Sequence, residues 1–409
     1  MIKLTKGSLI VHVYVGSVAL PVDKATVHIM GDSTDITLMT DRFGRTEIVE
    51  LNAPDVMYSL EPQNEVRPYA VYDVRVHKEG YVDTVMHDVE VFAGQKSIQN
   101  VFLLTLDETD EDEIVIDIAP PALWDVPEAY VPDETALQAN PFVLPFVLIP
   151  DYVIVHNGAP TNTAAATYYV QFIDYITNVA CSEIYSTWPV ETIKANVHAI
   201  VSFTLNRVFT EWYVARGFNF TITALPAYDQ KFTPGRTIFA SIAEVVNNYF
   251  DQYIRIGSQT HPFLAQYNDG IVTNNPGWLS QWGSKELGDR GYTAIQILRY
   301  FYGSQANLFT APLSSTNPSS FPGYTLQLGS CGQPVQLMQN RLNIIRGNYP
   351  GIPVIPNANG VFNETTRNTI RVFQDVFDLP VTGVVDFATW YRISYMYIAT
   401  ANLMRMAYS

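Results

Sequence analysis

The 409-residue chain has little cysteine, little positive charge and no long apolar run. Its two cysteines, Cys181 and Cys331, lie far apart in sequence. Alone they make neither a disulfide framework nor a metal cluster, and both are expected as buried free thiols. Lysine and arginine total 24 against 40 aspartate and glutamate, a formal net charge of −16. A balance this acidic lacks the basic footprint that phosphate contacts require, so no nucleic acid is expected as a partner. Residues Met1 to Lys6 lack the apolar core of a secretory leader, and the chain is expected to be made without an export signal. The apolar window from Phe142 to Ile154 is broken by Pro145, Pro150 and Asp151. It is too short to cross a bilayer, so no membrane span is expected.

What is present is a folded, multidomain composition. Apolar residues make up 47% and charged residues 16%, which excludes disorder. The length exceeds one ordinary core, so two or three domains are expected. Residues 1–106 read as β-structure: Leu9, Val11, Val13 and Val15 alternate with His12 and Tyr14, and Ala25, Val27 and Ile29 repeat the pattern. Residues 107–150 begin with an acidic run and turn proline-rich, which predicts an extended, protease-exposed linker. Residues 151–313 read as mainly helical α+β. One helix ends near Glu183. A longer one follows Pro189, with Ile193, Val197, Ile200, Leu205 and Val208 at helical spacing and Gly217 as its expected C-cap. Phe218, Phe220 and Ile222 read as a strand. Residues 326–409 predict three helices, punctuated at Gly360 and Gly383. The expected class is therefore multidomain α+β: a β-sandwich, a central mainly helical domain and a C-terminal three-helix module.

The stretch from Cys181 to Ala195 carries the chemistry. Ile176, Val179 and Glu183 share one helix face. A carboxylate ending an apolar stripe is desolvated, which raises its pKa and makes it a competent general acid. Ser182-Glu183-Ile184-Tyr185, Thr187-Trp188-Pro189, Glu191, Lys194 and Ala195 resemble the signature of the SpoIID/LytB family. Leu279-Ser280-Gln281-Trp282-Gly283, with Gly291-Tyr292 and Tyr300 to Gly303, resembles that family's closing segment. The resemblance implies cleavage of peptidoglycan glycan strands with Glu183 as the acid. Asn206-Arg207-Val208, Thr210 to Tyr213, Ala227 to Gln230 and Gly235 to Phe239 resemble the clostridial SleC-type subgroup of spore cortex-lytic enzymes. That likeness implies a precursor activated by a protease that removes the N-terminal region, and a location at the spore cortex and coat during germination.

Two further likenesses frame this domain. Leu20-Pro21-Val22, Thr40-Asp41, Gly44 and Gly80-Tyr81 resemble a transthyretin or carboxypeptidase-regulatory sandwich. The order Val335…Gln339…Gly360-Val361-Phe362…Phe373-Gln374…Gly383-Val384-Val385-Asp386…Thr389-Trp390 resembles the type 1 peptidoglycan-binding module. The chain departs from the family between Tyr267 and Pro276, where relatives carry cysteines. His261 alone cannot hold zinc, so no metal and no cofactor are expected.

A glycosidase uses two carboxylates, whereas a lytic transglycosylase needs one. In the latter, Glu183 protonates the glycosidic oxygen, and the muramic C6 hydroxyl closes an anhydro ring. Trp188, Tyr228, Ser280, Gln281 and Trp282 are the expected substrate-binding residues. The competing reading makes Glu183 a solvated helix-terminal carboxylate, Trp188 a core residue and the polar groups internal bonds. Glu191 is expected to pair structurally with Lys194, and Asp229 and Asp269 are minor helper candidates. Two alternatives stay open: a non-catalytic wall-binding or spore scaffold protein, and a hydrolytic muramidase.

Overall fold

The computed structural model describes residues 2–31, 33–62, 64–125, 144–314 and 321–407. The N-terminal strands are β1 (Leu4–Val15), β2 (Ser17–Pro21), β3 (Thr26–Gly31), β4 (Thr34–Met39), β5 (Val49–Pro54), β6 (Ala70–His77), β7 (Asp83–Val91), β8 (Lys96–Leu103) and β9 (Glu113–Asp117). One sheet runs β4-β3-β6-β7-β9. In the other, β1 pairs with β8 in parallel and with β2 and β5 in antiparallel. Val11, Val13, Val27, Ile29, Val74 and Leu103 are fully buried in a common core, as the period-two pattern requires.

This unit does not end at residue 106, and the acidic run is not a free spacer. Ile114 and Ile116 lie opposite Thr84 and Met86 as β9 pairs in parallel with β7. Ile116 packs on the sandwich core, while Glu113 reaches out to Arg75 at 2.7 Å. Apolar residues at alternate positions outweigh the repulsion of their acidic neighbours, because Ile118 is buried and Ile116 is half-buried against the sandwich core. Beyond β9, Ala122 and Leu123 are buried, and the Ala122 N–H donates to the Ser182 carbonyl at 2.8 Å. The proline-rich part of the expected linker, from 126 to 143, lies outside the described residues.

The central domain contains β10 (Tyr152–His156), β11 (Thr167–Gln171), α1 (Phe172–Glu183), α2 (Val190–Phe209), β12 (Ile222–Thr223), β13 (Ile238–Phe239), α3 (Ala240–Tyr249), β14 (Gln252–Ile256), β15 (Tyr267–Asn268), β16 (Leu279–Ser280), α4 (Gln281–Asp289), α5 (Ala294–Tyr302) and β17 (Ala306–Thr310). Helix α2 is buried around nearly its whole circumference, so α1, α3, α4 and α5 pack on it from different sides. It stops at Phe209. Gly217, with φ of 85°, instead caps the short 3-10 turn Val214–Arg216. The expected strand at Phe218 shrinks to β12, because Phe218 and Phe220 cluster with Tyr213 rather than alternating across a sheet.

Strand β13 belongs to the central chain segment but extends the N-terminal sheet, with Ile238 opposite Ile98 and Phe239 opposite Ser97. The Glu90 carboxylate pairs with the Arg236 guanidinium across the same boundary, both side chains essentially without solvent. Phe92 packs on Phe239 and Tyr185 with ring centroids 5.1 and 5.5 Å apart. The sandwich and the central domain thus share a continuous core.

The C-terminal module has helices α6 (Gln333–Ile345), α7 (Glu364–Val376) and α8 (Phe387–Ala407). Val335, Met338, Leu342, Ile370, Phe373 and Trp390 form its core, as their spacing predicts. Phe43, from a turn of the sandwich, inserts into this core, and Arg45 pairs with Asp375 at 3.1 Å. Cys181 is buried as expected, whereas Cys331 is exposed, because it sits in the extended segment ahead of α6 rather than on a packed face. Among the described residues, no helix is long and apolar enough to cross a membrane.

Candidate functional site

Glu183 is the last residue of α1 and is 3% exposed. Ile176 and Val179 lie below it on the same buried stripe. Its Oε1 accepts the backbone N–H of Lys231 at 2.8 Å and the Tyr267 hydroxyl at 3.4 Å. Its Oε2 accepts from the Gln281 side-chain amide at 3.2 Å. Burial pushes its pKa up, and these donors oppose the shift only in part. The C-terminal end of a helix also disfavours a negative charge. The site therefore favours a carboxyl group that keeps its proton above the usual carboxylate range, while remaining fixed in orientation.

Local strand pairing delivers two of these partners. Strands β15 and β16 pair in parallel, with Tyr267 opposite Leu279 and Asn268 opposite Ser280. That register brings Tyr267 and Gln281 to the same carboxyl group. Ser280 is the N-cap of α4, its Oγ accepting the Gly283 N–H at 2.9 Å. Gly270, at φ of 80°, lies so close to Ser280 that a Cβ there would overlap the serine hydroxyl.

Beside Glu183 stands an aromatic cluster. Trp188 and Trp282 approach to 4.9 Å between ring centroids, and Tyr185 meets both edge-on. Trp188 is 3% exposed, and its Nε1–H donates to the Ser59 carbonyl of the sandwich at 3.0 Å. Trp188 is thus a core residue at a domain boundary, not the groove wall expected from the sequence. A pocket of about 210 Å3 opens next to the cluster, walled by Tyr185, Trp282, Asp269 and Trp124, and by Tyr58 and Glu61 from the sandwich.

Of the expected substrate-binding residues, Gln281 touches Glu183 and Trp282 lines the pocket. Ser280 spends its hydroxyl on the helix cap, an internal bond rather than a free sugar contact. Tyr228 is half-buried on the turn before Asp229 and makes no hydrogen bond to Glu183 among the described residues. Asp229 is a structural anchor, held by Arg207 at 2.7 Å, Tyr213 at 2.7 Å and Thr223 at 2.8 Å. Asp269 accepts the backbone N–H groups of Ile271, Val272 and Thr273. Glu191 pairs with Lys194 at 2.7 Å and accepts the Ala294 N–H at 2.8 Å.

Tyr267 and Lys231 escaped the sequence reading. Neither stands in a motif with Glu183, and only the fold brings them near. The half-buried Lys231 ammonium faces Glu183 and Asp125, and burial lowers its pKa. Among the described residues, no three histidine, cysteine, aspartate or glutamate side chains are grouped to hold a metal ion.

The peptidoglycan binding domain family matches residues 331–393, which span α6, α7 and the start of α8. The C-terminal module is therefore a peptidoglycan-binding domain, with cell-wall peptidoglycan as its partner. No curated protein matches the chain. Two solved structures show limited likeness. The Bacillus anthracis TIE protein is 18% identical, with a TM-score of 0.18, over 25% of this chain and 17% of that one. A type II cohesin-X-dockerin complex from Acetivibrio cellulolyticus is 15% identical, with a TM-score of 0.17, over 25% of this chain and 59% of that one. The chain thus spans about a sixth and three fifths of their lengths, and neither likeness extends the assignment.

Proposed function

We propose that the chain is a peptidoglycan lytic transglycosylase that cuts spore cortex glycan, with Glu183 as its acid and base and the C-terminal domain as its anchor. The observation that carries this reading is the buried Glu183, fixed by Lys231, Tyr267 and Gln281; the nearby pocket is lined by its chain neighbour Tyr185 and by Trp282, not by Glu183 itself. A raised pKa supplies a proton for the glycosidic oxygen. Asp229 is committed to Arg207 and Asp269 to its own loop, so the arrangement favours one working carboxyl group, which suits closure of an anhydro ring by the substrate's own hydroxyl. Lys231 stabilises the carboxylate left after proton transfer. Tyr58 and Glu61 narrow the pocket from the sandwich side, which supports a precursor whose glycan access requires displacement of the N-terminal region, with a germination protease as the trigger.

Purified cortex is incubated with the full chain, with a protease-nicked form and with Glu183→Gln, and soluble products are weighed. Anhydro-muramic ends from the nicked form, absent with Glu183→Gln, are expected. Reducing muramic ends would replace this reading with a hydrolytic muramidase. Binding with no product from any form would leave a wall scaffold.

A further inference from the structure

A cavity of about 610 Å3 lies away from Glu183, where all three domains meet. That is within the roughly 300–1,000 Å3 of small-molecule sites. The sandwich contributes His12 and Tyr14, the central domain Asp174 and Asn178, and the wall-binding domain Arg392 and Tyr395. A smaller cavity of about 260 Å3 adjoins it through Tyr152, Gln171, Arg392 and Tyr395.

The polar groups here are incompletely used. The Arg392 guanidinium makes no hydrogen bond with any described residue, although it faces Asp174 and lies 5.4 Å from the Tyr395 ring. Asp174 accepts one hydrogen bond, from the Tyr395 hydroxyl at 2.9 Å. His12 is 3% exposed, with its Nε2 lacking a hydrogen-bond partner and 3.4 Å from Asp378. Arg236, also 3% exposed and lining the cavity, leaves its Nε without a partner. Buried donors left this way are costly unless something else satisfies them.

At the mouth stand two exposed aromatic rings. Tyr152 is 45% and Tyr169 is 73% exposed. In the β10–β11 register Tyr152 faces Gln171 and Ile154 faces Tyr169, so both tyrosines lie on one sheet face. Unburied aromatic faces beside a polar cavity suit the apolar face of a sugar ring.

We propose that this junction binds a muropeptide: an N-acetylated amino sugar bearing a peptide carboxylate. Arg392 forks onto the carboxylate. Asp174 bonds amide and hydroxyl groups, and Tyr169 stacks on the ring, while Asn178 is spent on Thr233. In a chain of net charge −16, a guanidinium that faces a cavity with no hydrogen-bond partner among the described residues is the feature that selects an anionic ligand. The site rests on the wall-binding domain and not on the catalytic reading of Glu183. A released wall fragment held here would tie that domain's docking to the other two.

The test is calorimetric titration of the full chain with muramyl dipeptide, and with uncharged diacetylchitobiose for comparison. Saturable binding of the dipeptide is expected, with the chitobiose weaker. Arg392→Gln is expected to weaken it about tenfold, as loss of a charge-assisted bond does. Tyr169→Ala, a surface change that leaves the core intact, is expected to weaken it as well, and Glu183→Gln to leave it unchanged. Dipeptide binding that is absent, or equal in wild type and Tyr169→Ala, overturns the proposal even if Arg392→Gln fails to fold. Binding lost with Glu183→Gln alone would place the ligand at the other site and overturn it too.

Discussion

The side-chain amide of Gln281 donates to Oε2 of Glu183 at 3.2 Å and to the Glu183 main-chain oxygen at 3.3 Å. One side chain thus grips the end of α1 and its carboxyl group at once. Gln281→Leu is expected to lower kcat on cortex glycan by about 100-fold, the scale of a misplaced catalytic group, with KM little changed. Equal kcat for this variant and the wild type would separate Gln281 from the chemistry.

Glu183→Gln is expected to abolish cleavage, a loss of at least about 100-fold, while preserving the fold. Burial raises the native pKa of Glu183 above its unfolded value. Between those two values the native state holds a proton that the unfolded chain has lost. Stability therefore falls as pH rises through that window. The glutamine variant lacks this decline, so its melting temperature is expected to drop less between mildly acidic and neutral pH. Parallel melting curves for the two proteins would contradict it.

Acid acts in the other direction through histidine. Burial lowers the pKa of both His12 and His198 to about 4. The unfolded chain binds their protons first, near the ordinary histidine value of about 6.5. Stability present at neutral pH is therefore lost as pH falls from there toward 4. His198→Gln is expected to flatten that part of the melting profile. An unchanged slope would mean that other groups carry the acid transition.

Arg236 and Glu90 form a buried ion pair across the sandwich boundary. Arg236→Met strands the Glu90 carboxyl, whose pKa burial already pushes up to about 7. A cost of about 3–5 kcal/mol is expected in chemical denaturation. The double variant Glu90→Leu/Arg236→Leu is expected to recover most of that loss, because the apolar pair removes both desolvation costs. Equal destabilisation in single and double variants would show that packing, not charge, dominates the boundary.

Elements with strong local periodicity were legible before the fold was known. The helices around Val335, Ile370 and Ile393 and the strands around Val11 and Val27 follow from apolar spacing, because one face must be buried. The Ile176-Val179-Glu183 stripe placed a desolvated carboxyl at a helix end for the same reason. Trp188 and Ser280 were read as ligand contacts, but each was taken by a partner distant in sequence or by its own helix cap. The acidic segment misled because its charge run masked the alternation of Ile114, Ile116 and Ile118.

The sequence by itself determined the division into sheet-rich and helical regions, the three-helix wall-binding module and the buried end of α1, since hydrophobic spacing acts locally. The tertiary structure alone decided that β13 completes the N-terminal sheet, that Tyr267 and Gln281 converge on Glu183, and that three domains enclose a common cavity. These depend on which unpaired strand edges and polar groups meet across long separations. Only the assembled core, where leaving such groups unsatisfied is costly, selects among those pairings.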